Sequence, residues 1–531
     1  MITEFRVCSS LEKIFSFSPL PAEHSELSLM KNERGGLQIA VKTDSDEEIA
    51  LSVKSDVPFT VFEEKEIYSG LALYETEEKC TVINGAKSGY YPDLLVPSDG
   101  NVFVKADANA VFWIEFTGTV PGKDRAEFRV EADGEKRCAY ADITVSETEL
   151  PEQKIIHTNW FHSDCLSVYY NVEVFSEEWW RITENYIRNA ASHGVNMLLT
   201  PVFTPALDTK EGGERPTVQL CDVCRKDGAY SFGAEKLDRW IDICLDAGIK
   251  YFEISHFFTQ WGAKHAPKIM AETENGVERI FGWETDSTSE EYTEFLKAFG
   301  AFLSGYTDAR GITDRCFVHC SDEPSLEAIE LYRKTSSVLR DYFPKFRHID
   351  ALSDYDFYKE GLIDVPVPSE NAIEKFAGKV PQLWTYYCCG QFRDEVPNRF
   401  FCFPSVKNRM LGVLLYKYNC EGFLQWGYNF WFSQLSDHPI DPFKVTDADG
   451  AFPSGDAFIV YPGDNGEPLS SLRQKVFYDG FEDHAALCAL EKKTSREEVL
   501  KLIKETLGDI SFTDYPIDNE VFLEFAKKIR Q

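Results

Sequence analysis

The chain has 531 residues with 55 basic against 88 acidic side chains, a formal net charge of −33 at pH 7. A surface of that sign repels phosphate backbones and anionic headgroups, so neither nucleic acid nor a membrane surface is expected as a partner, and no run of about 18 apolar residues could cross a bilayer. With 43% hydrophobic and 14% aromatic residues the chain can bury a large core, and its length implies more than one domain.

Residues 1–150 read as short strands separated by turns. "NVFVKADANAVFWIEFTG" and "RAEFRVEADGEKRCAYADITVSE" alternate apolar and polar residues around "VPGKD" and "ADG" turns, the pattern of an antiparallel β-sandwich. Of the ten Trp only Trp113 lies here, and of the ten His only His24. A domain so poor in these side chains is a weak place to look for chemistry.

From about Ile155 the pattern changes to strand–helix alternation. Apolar runs at 155–161, 195–202, 250–257, 315–322, 346–353, 363–368, 380–388 and 422–429 are separated by helical patterns such as "EEWWRITENYIRNAASHG" and "GAEKLDRWIDICLDAG", with Gly194 and Gly248 as stops. Eight such strands predict a (β/α)8 barrel over 155–440. A doubly wound sheet is the alternative, but no glycine-rich phosphate turn follows the first strand, and no cofactor is implied. A Pro/Gly/Asp-rich stretch and three helices, starting near Leu469, Ser495 and Asn519, complete 441–531, which is expected to pack on the barrel. The fold class is thus multidomain α/β.

The chain starts "MITEFRVCSSLEKIF", without the basic and apolar regions of a signal peptide. Together with the length, this makes the 14 Cys more consistent with reduced thiols in a cytoplasmic protein than with disulfides. Cys221 and Cys224 have metal-type spacing with no second half, and the adjacent Cys388 and Cys389 read as small buried hydrophobes. No metal is implied.

A barrel of this type keeps its chemistry at the C-terminal ends of the strands. There the first strand brings Trp160, His162 and Asp164, and the third His256, Gln260 and Trp261. The seventh brings Trp384 and Tyr386, and the eighth Trp426, Tyr428 and Asn429. Aromatics, amides and acids on one rim suit a sugar, whose C–H faces pack on rings and whose hydroxyls need planar polar partners. Each has a plainer reading: a strand-end Trp as packing, His157, His162 and Asp164 as metal ligands lacking a fourth, Glu253 as one half of a barrel-interior ion pair, which is the reading favoured for it.

The fourth strand ends in "HCSDEP", with Asp322 and Glu323 side by side before Pro324. On its own this is what a helix start looks like, since Asp and Ser cap helices, Pro suits the first turn and acids complement the dipole.

With "NWFHSDC", "ISHFFTQWGAKHAP", "LWTYYCCG", "GFLQWGYNFW" and "YPGDNGEPLSSLRQKVFYDGFED", the "HCSDEP" segment resembles glycoside hydrolase family 123 and its wider relatives. The resemblance implies a sandwich followed by a (β/α)8 catalytic domain. It also implies a β-N-acetylgalactosaminidase in which the substrate's 2-acetamido oxygen is the nucleophile. Asp322 would then accept the acetamido N–H and stabilise the developing charge, and Glu323 would act as general acid and base. Their environments should separate the two pKa values, one acid ionised and the other protonated. The partner would be a small glycoside or oligosaccharide. Two other readings remain at this point: a glycosidase using a protein nucleophile, with Asp164 or Glu253 as candidates, or a catalytically silent carbohydrate-binding protein.

Overall fold

The structure is a computed structural model that describes residues 1–531. The N-terminal part is two five-stranded sheets face to face. One has the order Ile2–Ser9, Arg34–Thr43, Asn109–Thr117, Phe59–Ser69, Gly89–Pro97; the other Glu26–Lys31, Glu135–Glu149, Gly122–Ala132, Glu47–Lys54, Asn101–Val104. Pairing is antiparallel except between Glu26–Lys31 and Glu135–Glu149. Alternation along strands such as Gly122–Ala132 puts Ala126, Phe128, Val130 and Ala132 into the shared core and the charged residues between them outside.

The second part is a parallel barrel whose strands are β1 (Ile156–Asn159), β2 (Met197–Thr200), β3 (Tyr251–Ile254), β4 (Cys316–Val318), β5 (Arg347–Ala351), β6 (Val365–Val367), β7 (Trp384–Tyr387) and β8 (Gly422–Gln425). Pairing runs continuously from β7 through β8 and β1 round to β6. Only a single bridge, Ser369 to Tyr386, spans the β6–β7 seam, so the barrel is nearly closed. The strands are short and buried on both faces, as parallel strands under a helical layer must be. Helices start where a side chain can take the first free N–H groups: Ser176 caps Glu177–Ser192 and Ser289 caps Glu290–Arg310. Gly248, with φ 99°, ends Glu235–Ala247. The loops after β2 and β3 carry hairpins, Asp222–Lys226 with Ala229–Gly233 and Ile269–Thr273 with Gly276–Phe281, which join into one small sheet.

Three helices end the chain, and the first, Leu472–Lys493, is buried over most of its length between barrel and sandwich. Its Arg473 grips Asp93 of the sandwich through two bonds of 2.8 and 2.9 Å and reaches the Gly455 and Phe458 carbonyls with its remaining nitrogen. Both side chains of the pair are almost wholly buried. The largest hydrophobic cluster accordingly runs from sandwich residues such as Tyr91 and Trp113 into the helical layer.

Removing one partner of a buried ion pair leaves the other charge uncompensated. Arg473→Leu should therefore lower stability by about 3–5 kcal/mol in chemical unfolding. Sandwich and barrel should still unfold in one transition, and adding Asp93→Asn to the variant should recover part of the loss.

Candidate active site

The residues after β4 lead out of the barrel as His319, Cys320, Ser321, Asp322 and Glu323. The next helical segment, a 3-10 turn, starts only at Leu326 and the α-helix at Ile329, and neither has a side-chain cap. The two acids therefore cap nothing. Their backbone is instead fixed crosswise: the Trp261 N–H donates to the Asp322 carbonyl (2.8 Å), and the Glu323 N–H to the Ala351 carbonyl (3.0 Å). Glu323 has φ 42°, the left-handed region that a β-carbon disfavours, and Pro324 then prevents continuation of the ladder.

Beneath the pair lies a fully buried chain of charge. His319 sits between two carboxylates, with Nδ1 at 2.9 Å from Asp350 on β5 and Nε2 at 2.6 Å from Glu253 on β3. Asp350 also accepts the N–H groups of Cys320 (3.1 Å) and Ser321 (3.2 Å) and the Tyr332 hydroxyl. Glu253 accepts the Thr158 hydroxyl and the Trp160 indole N–H, the latter at 2.7 Å. Burial alone would depress His319, but hydrogen bonds to Asp350 and Glu253 outweigh it and push the imidazole up to about 9. The imidazolium thus fixes both the backbone that presents the acidic pair and the indole opposite. Glu253 is half of a barrel-interior ion pair, as the sequence favoured.

A cavity of about 250 Å³ opens above this chain. Trp160, Gln260, Trp261, Asp322, Glu323, Tyr386 and Trp426 line it, all of them expected from the sequence. The Tyr386 hydroxyl donates to Glu323, and Trp261, 53% exposed, forms the rim. Behind Trp426, buried Asp456 accepts the indole N–H at 2.9 Å; burial, opposed by Arg399, pushes this carboxyl up to about 7. The segment that carries Asp456 and the lining residue Phe452 is tied to the sandwich: Tyr74 donates to the Ala451 carbonyl (2.6 Å), and Ser69 to Ser454 (2.7 Å).

The other expected residues stand behind the wall. The structure puts Trp384 at the opposite end of the barrel interior: as the first residue of β7 it enters low, against Phe317, and fills the space left by Gly422, where a β-carbon would come within 2.1 Å of the ring. Asp164 is bound by two nitrogens of buried Arg215, at 2.7 and 2.8 Å, and the third holds the Leu207 carbonyl (3.1 Å). His162 exchanges bonds with Asn429 (2.8 and 3.1 Å) and contacts the Trp426 carbonyl (2.9 Å). Burial, reinforced by Arg215, lowers its imidazole to about 3. Tyr428 points outward to Asn189 (2.9 Å). His256 lies flat on His319, with centroids 4.2 Å apart, and is held neutral by burial.

His256, His319 and Asp350 are close enough together to share a cation. Both His319 nitrogens are already engaged by carboxylates, so a metal would have to break one of those bonds. His157, the other residue considered as a ligand, is stacked on Phe481 at 4.4 Å with Nδ1 at the Gly194 carbonyl, on the far side of β1.

Sequence reasoning missed Leu207, Asp208, Ala351, Leu424, Gln434 and Phe452 and did not expect Cys388 and Cys389 to face a cavity. Most of these sit in loops, where no periodicity marks a side chain as inward. Asp322 is pushed well above the usual carboxylate range, first by burial and then by the charges of Glu323 and Asp350. The proton of the pair in the free protein is therefore held on Asp322. This is the reverse of the expected sense, because Glu323 is the exposed member and Asp322 the enclosed one.

Comparison with known proteins agrees with this geometry. The sequence profile "Glycoside hydrolase 123, catalytic domain" matches residues 160–490. A family 123 glycoside hydrolase from Clostridium perfringens, studied for glycolipid glycan hydrolysis, superposes with a TM-score of 0.76 at 15% identity, covering 99% of this chain and 96% of that one. A β-glucuronidase from Parabacteroides merdae reaches only 0.34 at 12% identity, over 87% of this chain and 51% of its own, and an endo-β-1,4-mannanase from Thermotoga petrophila 0.33 at 13%, over 64% and 77%. No curated protein matches the sequence. The profile covers the acidic pair, the charged barrel interior beneath it and the indole wall, and it matches more than half of the sequence: the chain belongs to glycoside hydrolase family 123 and is a glycosidase.

Proposed function

We propose that the protein is an exo-acting β-N-acetylgalactosaminidase with a substrate-assisted, retaining mechanism. The observation that carries this is the placing of two consecutive carboxylates at one strand end, both on one small cavity. A conventional retaining pair flanks the scissile bond at about 5 Å, with one acid as nucleophile. Asp164 and Glu253, the nucleophiles the sequence offered, are each spent on a buried cation. A 2-acetamido oxygen supplied by the sugar fills the vacancy. The relative from C. perfringens, which acts on glycolipid glycan, supports a glycan substrate.

In this reading the sugar ring packs between Trp160 and Trp426, and its acetamido N–H donates to Asp322. That bond favours the ionised carboxylate, so the proton that Asp322 holds in the free enzyme passes to Glu323 as the substrate binds. Glu323, oriented by Tyr386, carries a proton to the leaving oxygen and later removes one from the incoming water. The cavity volume of about 250 Å³, below the usual range for small-molecule sites, favours a single terminal sugar. Fourteen cysteines without a disulfide favour a reducing compartment, and we place the enzyme in the cytoplasm acting on short glycosides. No helix is long and apolar enough to cross a membrane.

A second reading has one observation in its favour: Asp208 is a third carboxylate on the cavity. A covalent sugar ester trapped on the protein would establish this route and refute the first.

Three outcomes are expected. Replacing the acetamido group by hydroxyl should abolish the chemical step, because no protein group substitutes for it; efficient cleavage of the plain β-galactoside would overturn the mechanism. Glu323→Gln should lose about 10²–10⁴-fold on poor leaving groups and far less on an activated phenol, whereas Asp322→Asn should lose activity on both. Because Glu323 can deliver a proton only while the pair holds one, loss of the proton held on Asp322 should set an alkaline limb of kcat/KM for poor leaving groups, above the ordinary carboxylate range. Glu323→Gln on an activated phenol needs no such proton but still needs Asp322 ionised, so this limb should be replaced by an acid one. An alkaline limb retained in the variant would show that the two acids do not share the proton.

A further inference from the structure

The mechanism leaves one acid of the cavity unused. Asp208 lies in the loop after β2 and lines the wall that Asp322 and Glu323 also line. Its Oδ2 accepts the Leu435 N–H at 3.1 Å, while Oδ1 takes no hydrogen bond from the protein. Its backbone is clamped from two sides. The Asp208 N–H donates to Gln260 of the loop after β3, and the Asp208 carbonyl accepts from the Ser436 hydroxyl at 2.7 Å. The Lys210 N–H adds a bond to the Leu435 carbonyl at 3.0 Å. Asp208, Leu435 and Ser436 have φ of 41°, 59° and 56°, three left-handed residues on one clasp. Such a conformation is disfavoured by a β-carbon and persists only where its surroundings over-determine it.

We propose that Asp208 is the specificity-determining residue of the sugar subsite: its free Oδ1 accepts a ring hydroxyl of the substrate, and its charge excludes sugars that carry sulfate or carboxylate. The argument is one of charge and geometry. No Lys, Arg or His lines the cavity, whereas three carboxylates do. The nearest cation, Arg215, is committed to Asp164 and the Leu207 carbonyl behind the wall. An anionic substituent on the sugar therefore meets two like charges, because the adjacent pair holds one proton, and no counter-charge. A neutral hydroxyl meets a rigid acceptor whose other oxygen is already held by the Leu435 N–H, so a hydrogen bond there needs no rearrangement. Burial pushes the Asp208 carboxyl up to about 6, which leaves it mostly ionised at neutral pH. The inference rests on the glycosidase reading only in taking the occupant to be a sugar, and not on the acetamido group as nucleophile.

The test uses whichever nitrophenyl β-glycoside the intact enzyme cleaves fastest, so that failure of the N-acetylgalactosaminidase reading shows in the identity of that substrate and not in the result. kcat/KM for the neutral sugar should exceed that for a sulfated congener by about 100-fold or more, and Asp208→Asn should cut the ratio about tenfold. Among monodeoxy substrates, one position should couple to Asp208: losing that hydroxyl and Asp208 together should cost no more than losing either alone. With wild-type enzyme only, a sulfated free sugar should inhibit far more weakly than the neutral one, and the gap should narrow as ionic strength rises. This last comparison tests the exclusion of anionic sugars without relying on any variant. An unchanged ratio with additive penalties at every hydroxyl would overturn the proposal. So would a uniform loss on all substrates, equal inhibition by the two free sugars, or complete loss of turnover with a sugar ester found on Asp208.

Discussion

A buried imidazolium held by two carboxylates is the constraint around which the barrel is arranged. An isolated charge at that depth would be prohibitively costly, and each acid without the imidazole would be equally so. The three strands that carry Glu253, His319 and Asp350 are therefore locked in one register. What the arrangement yields is direction more than stability. Asp350 has bonds left for the N–H groups of Cys320 and Ser321, and Glu253 for the indole of Trp160. The last two peptides before the acidic pair and the wall facing them are thus oriented by the same charge.

Around this fixed base the rim is strained. Asp208, Trp261, Glu323, Leu435 and Ser436 all have positive φ. These left-handed residues come from the loops after β2, β3, β4 and β8, which meet over the cavity. Hydrogen bonds between those loops hold them there. The site is accordingly stiff, and its selectivity derives from groups that are fixed before the substrate arrives.

The eight barrel strands were legible because burial on both faces leaves apolar runs, and the sandwich because one buried face leaves alternation. The two hairpins were not anticipated, although Asp227–Gly228 is the dipeptide such a turn requires and Gly276, with φ 103°, follows the turn of the other. Within the site, the residues at strand ends were recoverable. What sequence could not supply was depth. Trp384 and Tyr386 share a parity and both point into the barrel, yet one is at the floor and the other at the mouth, a difference set by how far each strand is slid along its neighbour. Asp208 and Gln434 come from loops, whose inward residues are chosen by contacts with other loops and not by any local period. The raised carboxyl of Asp322 belongs to the same class, being a property of enclosure.

The aromatic wall has one further dependence. Trp426 is held by Asp456, and the segment around Asp456 is stapled to the sandwich through Tyr74 and Ser69. The cavity is thus completed by pieces from the beginning and the end of the chain. As the polypeptide leaves the ribosome, Asp322 and Glu323 emerge well before the residues that close the site around them. The nascent barrel carries its acids without a wall to seat a sugar against, and hydrolytic competence arrives only with the final quarter of synthesis. For the same reason the barrel is not a portable module: excised from its neighbours or fused at 441–456, it would keep its carboxylates and lose its grip.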